Sequence, residues 1–502
     1  MLKYFFTILI ACSVTLPLLS ENYKLQEIFD LELPVLEIIT IDEEEPSCEY
    51  VTHPEGSFGE GITNANKVPG SLKLYDPEGN ITYDSGDYEK GESGMTVKLR
   101  GNTSAYASQK PYKIKLQKKA DLLNRGDKSY ADKNWVLLKD NHLKVHVGFE
   151  ISRLLEEEWT PAGTYVNVMF NGDYRGMYYL VESIERNEKC RINVSESGFI
   201  MEHDPYWWNE NGEYIVSDHN PKLNFTFKYP DYEDVTESQL LAIEAALQRY
   251  EKSLANGEYA DVIDIESFAK WILGHDILGT WDGAGANLYL SKYDDSYDSV
   301  IKAGPLWDFD TIEWNEDTWG TVHNAFSRFR TFYLSEDSDF MKVYKNLWYE
   351  KGENIYDGIL DMISDFMNEA KWEGYKKSSE ANGLRYDTGK YDSAEAAERD
   401  FDWFSKRFAW LSKELGEYKK SNSTGDEDIN GIEEMVYRDK YLYKLMPTGI
   451  IPIESGVEIK IYSIDGRLIN KILSQSGEAI DMPGTGLHIV QYGPRTLKIM
   501  TK

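Results

Sequence analysis

Thr280-Trp-Asp-Gly-Ala-Gly-Ala-Asn-Leu-Tyr-Leu290, followed by Gly304-Pro-Leu-Trp-Asp-Phe-Asp310, is the stretch on which the reading of this chain turns. Asp282, Asn287 and Asp308 bracket one hairpin, whose first strand is the apolar Leu288-Tyr-Leu290. Carboxylate and carboxamide oxygens are the hard ligands that Mg²⁺ and Mn²⁺ take, and a separate carboxylate can orient an attacking hydroxyl. A plainer reading stands beside this one: Asp282 caps a turn and Asp308 is an ordinary strand-end residue.

Upstream of the hairpin, Phe268, Trp271 and Ile272 recur at helical spacing and predict a helix over about 265–278. Before it, Thr236-Glu-Ser-Gln239 is a capping box, followed by Leu240, Ile243, Leu247, Tyr250 and Leu254 along one helical face. Downstream, amphipathic helical segments recur between about 336 and 418. The first part of the chain reads differently. Leu33-Pro-Val-Leu-Glu-Ile-Ile-Thr40 predicts a first strand, and short strands continue to about residue 116. Tyr165 to Glu182 predicts two more, joined at Asn171-Gly-Asp because Asn and Gly tolerate positive φ. Lys144 to Glu157 reads as a helix able to face the sheet. Strands first and helices later predict an α+β fold of two lobes, with the site in the cleft between them.

The interval from Asp282 to Asn287 is five residues (287 − 282), as in the protein-kinase catalytic loop, and Asp308-Phe-Asp310 then stands like the metal-binding Asp of those enzymes. His275-Asp276 is rejected as the equivalent pair, because Trp281 occupies the position where a ligand is needed. A nucleotide also requires cations. Tyr112-Lys-Ile-Lys115 places Lys113 and Lys115 on one face of a strand, and Lys115 is the chosen phosphate-binding lysine. Arg100-Gly-Asn-Thr-Ser104 is a donor-rich loop suited to covering phosphates, giving Arg100, Asn102 and Ser104 as nucleotide-binding candidates. Glu182 is placed either as the partner of Lys115 or beside the adenine. Gly56-Ser-Phe-Gly-Glu-Gly61 imitates a phosphate-covering glycine loop but lies far from any strand lysine, so a surface loop is the expectation. Tyr293 to Ser299 reads as a solvated loop rather than a calcium site.

With 86 acidic against 54 basic residues, a formal charge of −32 argues against general binding to nucleic acid or anionic membranes. Residues 1–20 read as a secretory signal, one Lys ahead of a short apolar run too brief for a membrane span. Leu9-Ile-Ala-Cys12 resembles a lipobox, and cleavage after Ser20 competes with it. Cys48 and Cys190 are the thiols that remain after such cleavage: one disulfide between them suits an oxidising compartment, and two buried free thiols are the equal alternative. Residues 419–430, which include Ser421-Asn-Ser-Thr-Gly-Asp-Glu-Asp, read as a linker. Residues 431–502 read as a small β-sandwich on the strands beginning at Val457, Leu487 and Leu497.

Taken in order, Leu33 to Thr40, Arg100 to Ser104, Lys110-Pro-Tyr-Lys-Ile-Lys115, Asn171 to Glu182, Asp282 with Asn287, and Trp307-Asp-Phe-Asp310 resemble the spore-coat CotH kinase family over residues 33–418. The resemblance implies an atypical secretory-kinase-like domain that moves the ATP γ-phosphate to protein Ser with Mg or Mn. It would make Asp282 the catalytic Asp, Asn287 and Asp308 metal ligands, and Lys115 the phosphate-binding Lys. Relatives tend to carry an Arg where this chain offers Lys144 and His146. The C-terminal module resembles the sorting domain of type IX secretion substrates, which implies release or attachment at the cell surface. The rival expectation is a non-catalytic surface protein serving adhesion or polysaccharide-degrading assemblies.

Overall fold

The computed structural model describes residues 24–57, 59–139, 143–209, 212–219, 223–280, 287–309, 327–368, 371–386 and 394–420, and stretches of the C-terminal strands between 443 and 501. The expected signal (1–20), Asp282 and all but residues 419–420 of the expected linker lie outside the described residues. The chain divides into two units, 1–420 and 421–502.

The first unit is mixed α+β, with strands first and helices later. After a short helix α1 (Leu25–Phe29), ten strands follow: β1 (Val35–Thr40), β2 (Glu49–Thr52), β3 (Glu60–Thr63), β4 (Val68–Tyr75), β5 (Ile81–Asp84), β6 (Met95–Leu99), β7 (Tyr112–Ala120), β8 (Asp132–Leu138), β9 (Gly163–Phe170) and β10 (Asp173–Glu182). The order β1-β9-β10-β8-β7-β6-β4 returns from β4 to β1, so seven strands close into a barrel, with β5 added outside β4. Closure is what the sequence reading lacked. Alternation along each strand sends one set of side chains inward: Leu36, Ile38, Val97, Ile114, Trp135, Leu137, Val168 and Leu180 fill the barrel. The Asn171-Gly172 turn has φ of 49° and 75°, as the β9–β10 connection requires.

The outer face of the barrel is not uniform. Val136, Tyr165, Met177, Tyr179 and Val181 belong to a second, larger core shared with the helices. Helix α2 (Lys144–Leu154) lies in that core and stops short of the expected Glu157, because Glu156 turns to φ 56° and the Glu157 N–H bonds back to the Ser152 carbonyl at 3.2 Å. Among the described residues the unit continues with a second sheet and longer helices: β11 (Phe199–Asp204), β12 (Tyr214–Ile215), β13 (Asn224–Tyr229), α3 (Glu237–Asn256), α4 (Ile265–Leu278), β14 (Leu288–Lys292), β15 (Ile301–Ala303), α5 (Asp339–Asn368), α6 (Lys371–Tyr386) and α7 (Ala394–Leu415). The sheet runs β12-β13-β11-β14-β15. Helix α3 begins at the expected capping box, with the Gln239 N–H donating to Thr236 Oγ1 at 3.3 Å, and it ends at Gly257, whose φ is 74°. Helix α4 is capped by Asp264 and ends at Gly279, with φ 69°.

The expected alternative of a Cys48–Cys190 disulfide is corrected: both thiols are free. In the second unit, β16 (Tyr443–Met446), β17 (Gly449–Pro452) and β20 (Ile480–Asp481) form one sheet, and β18 (Glu458–Tyr462), β19 (Leu468–Leu473), β21 (Gly486–Tyr492) and β22 (Arg495–Thr501) form the other. The sequence reading named only the strands of the second sheet, and of those it missed β19.

Candidate functional site

The segment Gly304–Phe309 leaves β15 and runs against two helices. Each helix offers a glycine at the crossing. A Cβ on Gly148 of α2 would lie 2.5 Å from the Phe309 ring, and one on Gly274 of α4 would collide with Leu306. Phe149 packs edge-on against Phe309, with ring centroids 5.1 Å apart. Leu306, Trp307 and Phe309 are buried while Asp308 between them is half-exposed, so the apolar neighbours fasten the segment and present its carboxylate. Asp308 has φ of 66° and Asn287 of 61°, a left-handed backbone that side chains adopt at a cost and that concentrates at functional positions. We predict that Gly148→Ala lowers stability by about 1–2 kcal/mol in chemical denaturation, since the Phe309 clash outweighs the roughly 1 kcal/mol gained in helix propensity.

Around Asp308 the structure gathers groups from three other places. Arg100, just after β6, holds its guanidinium carbon 5.9 Å from the centroid of the Trp307 ring. Tyr289 of β14 is buried and paired across the sheet with Glu202. Its phenol is pushed well above the ordinary tyrosine range, by burial first and then by the carboxylates of Glu202, Asp204 and Asp308, with Arg100 opposing. Three carboxylates and the Arg100 guanidinium therefore act on one phenol. Glu202 is paired with Lys228 at 2.8 Å, and Asp204 accepts from Thr226 Oγ1 at 3.1 Å and from the Tyr206 N–H at 2.7 Å; Asp308 sits on a half-exposed backbone turn. Sequence reasoning missed Glu202, Asp204 and Tyr289, because only the β11–β14 register brings them together.

The Arg100–Ser104 loop is built as a unit. Lys110 Nζ donates to the Ala105 carbonyl at 2.6 Å and to Tyr50 OH at 2.9 Å, tying the turn to β2. Asn102 Oδ1 accepts from Asn209 Nδ2 at 3.0 Å, and Thr103 Oγ1 lies 2.9 Å from Tyr206 OH. Ser104 is half-buried, its hydroxyl under Gly101, whose φ is 76°. The loop between β2 and β3 is exposed from His53 to Gly56, as a surface loop should be; Gly59 at its end approaches Tyr206, and Gly61 in β3 approaches Asn102, Trp208 and Asn209. Absent side chains there allow the close approach.

Two residues expected at the nucleotide, Glu182 and Lys115, have different surroundings. Glu182 is 1% exposed, and its carboxylate takes Arg125 Nη2 at 2.8 Å and the Ala162 N–H at 3.0 Å; it is a satisfied buried ion pair and not the partner of Lys115. Lys115 stands exposed, opposite Thr96 of β6 and Asn134 of β8. Lys113 shares its face but lies two residues nearer Arg100 along the strand, about 7 Å at the usual strand rise, and it pairs with Glu185 at 2.8 Å. Alternation could name the face but not the rung. His146 has Nδ1 3.4 Å from Tyr179 OH. His275-Asp276 serves structure: His275 lies with Nδ1 2.5 Å from Thr280 Oγ1, burial lowers its pKa to about 4, and Asp276 accepts from Tyr344 and Arg407. In the Tyr293–Ser299 loop, Lys292 Nζ donates to the Asp294 and Ser296 carbonyls at 2.6 Å, occupying oxygens a calcium ion would need.

A family model described as CotH kinase protein matches residues 97–370, more than half of the chain. The chain belongs to the CotH kinase family. The CotH match begins inside β6 and runs past α5, so it takes in the Arg100 loop, Lys113, Tyr289, Asn287 and Asp308 and leaves out the first strands of the barrel. No curated protein matches the sequence. Family membership brings ATP and a divalent ion into question as ligands. Among the described residues no three His, Cys, Asp or Glu side chains converge on one ion position. Asn287 and Asp308 nevertheless offer the oxygen chemistry that Mg²⁺ or Mn²⁺ takes, and such ions draw their remaining ligands from phosphates and water.

Proposed function

We propose that this CotH-family chain is an atypical protein kinase that transfers the γ-phosphate of ATP to Ser of a protein substrate. The barrel serves as the first lobe, and the β11–β15 sheet with its helices as the second. What supports the reading is the meeting of the Arg100 guanidinium with the Asp308 segment at Trp307, inside the matched residues.

Asp308 and Asn287 would hold Mg²⁺ or Mn²⁺, which would neutralise phosphate charge when bound. Arg100 would face the phosphate oxygens, which its planar fork suits. Lys113, held by Glu185, steadies the same charge from the strand beside it. The donor-rich turn through Asn102 and Ser104 covers them and limits water. Asp282 orients the substrate hydroxyl in the role that the CotH resemblance gives it. Catalysis of this kind consists mostly of positioning and electrostatics.

The setting is part of the proposal: the signal-like residues 1–20 and the sorting-domain-like C-terminal unit support a secreted or cell-surface protein, acting on surface proteins or assemblies. Among the described residues no helix is long and apolar enough to cross a membrane.

The test is Mn²⁺- or Mg²⁺-dependent ATP binding and phosphate transfer by the full chain, with Lys113→Ala and Lys115→Ala alongside. The expected result is transfer with KM for ATP raised about tenfold or more by Lys113→Ala, as for loss of one charge-assisted contact, and changed less than about threefold by Lys115→Ala. A folded chain that neither binds nor turns over ATP would remove the kinase reading and leave the adhesion or assembly role as the better account.

A further inference from the structure

Glu157 is half-buried, with a carboxyl oxygen shielded from water, and no step above uses it. It sits just beyond α2, at the turn where Glu156 reverses the chain. Oε2 accepts from Ser152 Oγ and from the Leu306 N–H, the latter at 3.0 Å. The Ser152 hydroxyl in turn lies 2.7 Å from Thr160 Oγ1. Oε1 is shielded from water and has no hydrogen-bond partner. It faces Gly304, where a Cβ would approach it to 3.2 Å, so the backbone at 304, with φ of 110°, makes room for the carboxyl. Lys270 of α4, whose charge is felt at Glu157, has its ammonium engaged by Glu266 and by the Glu156 carbonyl.

A lone buried carboxyl is costly to keep in a fold. Here it is pushed up to about 7, by burial first, with the Ser152 hydroxyl, the Leu306 amide and Lys270 opposing. The partners it does have are informative. Leu306 is two residues before Asp308, and the Gly304 N–H donates to the Tyr289 carbonyl at 3.1 Å. Glu157 therefore joins the end of α2 to the backbone that carries Asp308. The apolar contacts of Leu306, Trp307 and Phe309 resist lifting of that segment from the helices, whereas a hydrogen bond to one N–H resists sliding along them.

We propose that Glu157 is a positioning residue, a clamp on residues 304–309 that sets the Asp308 carboxylate for the metal–nucleotide complex. Its functional consequence rests on the kinase reading; the clamp itself does not. The side chain acts through Leu306 and touches no reacting atom.

The experiment uses the full chain with Glu157→Ala, Glu157→Gln and Ser152→Ala, all checked for folding by circular dichroism. Amide hydrogen exchange of the 304–309 peptide is measured first, then Mn²⁺ affinity in the presence of a non-hydrolysable ATP analogue. Glu157→Ala should raise exchange in that peptide, leave the barrel strands unchanged, and weaken Mn²⁺ binding by about tenfold, the usual range for residues that orient a ligand from behind, with a smaller change in kcat at saturating metal. Glu157→Gln keeps an oxygen for the Leu306 N–H and should recover most of the loss. Ser152→Ala should reproduce the localised change at lower amplitude. Unchanged exchange at 304–309 in folded Glu157→Ala would overturn the proposal whether or not nucleotide binds, as would equal loss in the Ala and Gln variants. Raised local exchange in a protein whose wild type binds no Mn²⁺ and nucleotide would uphold the clamp and count against the kinase reading alone.

Discussion

Asp308→Asn is expected to lower phosphate transfer by about 10³-fold, because a metal ligand that neutralises phosphate charge supplies several kcal/mol of transition-state stabilisation and each 1.4 kcal/mol is a factor of ten. Asn is the informative replacement. It matches Asp in size and tolerates the left-handed backbone at φ 66°, so the loss reports on charge and not on folding. Asp308→Ala would add roughly 1–2 kcal/mol of backbone cost to the same chemical defect and blur the two. Single-turnover transfer at saturating Mn²⁺, beside a denaturation curve for each variant, separates them. Transfer by Asp308→Asn within tenfold of the wild type would show that the carboxylate is not a metal ligand.

The second large effect is structural. Arg407 is fully buried, and Nε and Nη2 both donate to the Asp276 carbonyl, the former at 2.8 Å, while Tyr344 OH donates to the Asp276 carboxylate. Helices α4, α5 and α7 meet in this network, and α4 ends two residues later at Leu278. Burial lowers the Arg407 pKa to about 10, with Asp276 holding it up. Arg407→Ala should cost about 3–5 kcal/mol in urea unfolding, since it leaves the Asp276 charge buried and one carbonyl without its donors. Arg407→Met combined with Asp276→Asn should recover part of that loss, because the expense lies in the uncompensated charge more than in the missing pair. A cost below 1 kcal/mol for Arg407→Ala would mean that water replaces the guanidinium.

How far the sequence could be read depended on the range of each interaction. Local signals were strong: the Thr236–Gln239 box, the Asn171-Gly172 turn and helix α4 over Ile265–Leu278 were all legible. Helical spacing suggested that α2 continued to Glu157, and it failed there because nothing in a polar run of Glu reveals that Glu156 takes a positive φ. Alternation put Lys113 and Lys115 on one face but could not say which rung lies beside Arg100; the backbone bond from the Arg100 N–H to the Pro111 carbonyl at 3.2 Å decides that. Glu182 was read from its place at a strand end, yet its partner Arg125 comes from a loop 57 residues away in sequence. Tyr289 looked like one more apolar strand residue, and only cross-strand register sets Glu202 beside it. The site residues named from sequence were those carried by short motifs, and those missed were brought in by pairing between distant strands.

The barrel seam carries a consequence for how the chain comes off the ribosome. Val35 of β1 pairs with Asn167 of β9, 132 residues further on (167 − 35), and this is the parallel contact that shuts the ring. At about 5–20 residues per second, roughly 7–26 s pass between the synthesis of the two partners. During that wait β4 to β8 can form an open meander, its apolar lining uncovered and both of its borders able to pair with another chain. Nascent-chain stalling before residue 160 should therefore yield a sticky intermediate, and stalling far enough past β10 that β9 and β10 have left the ribosome, a closed one.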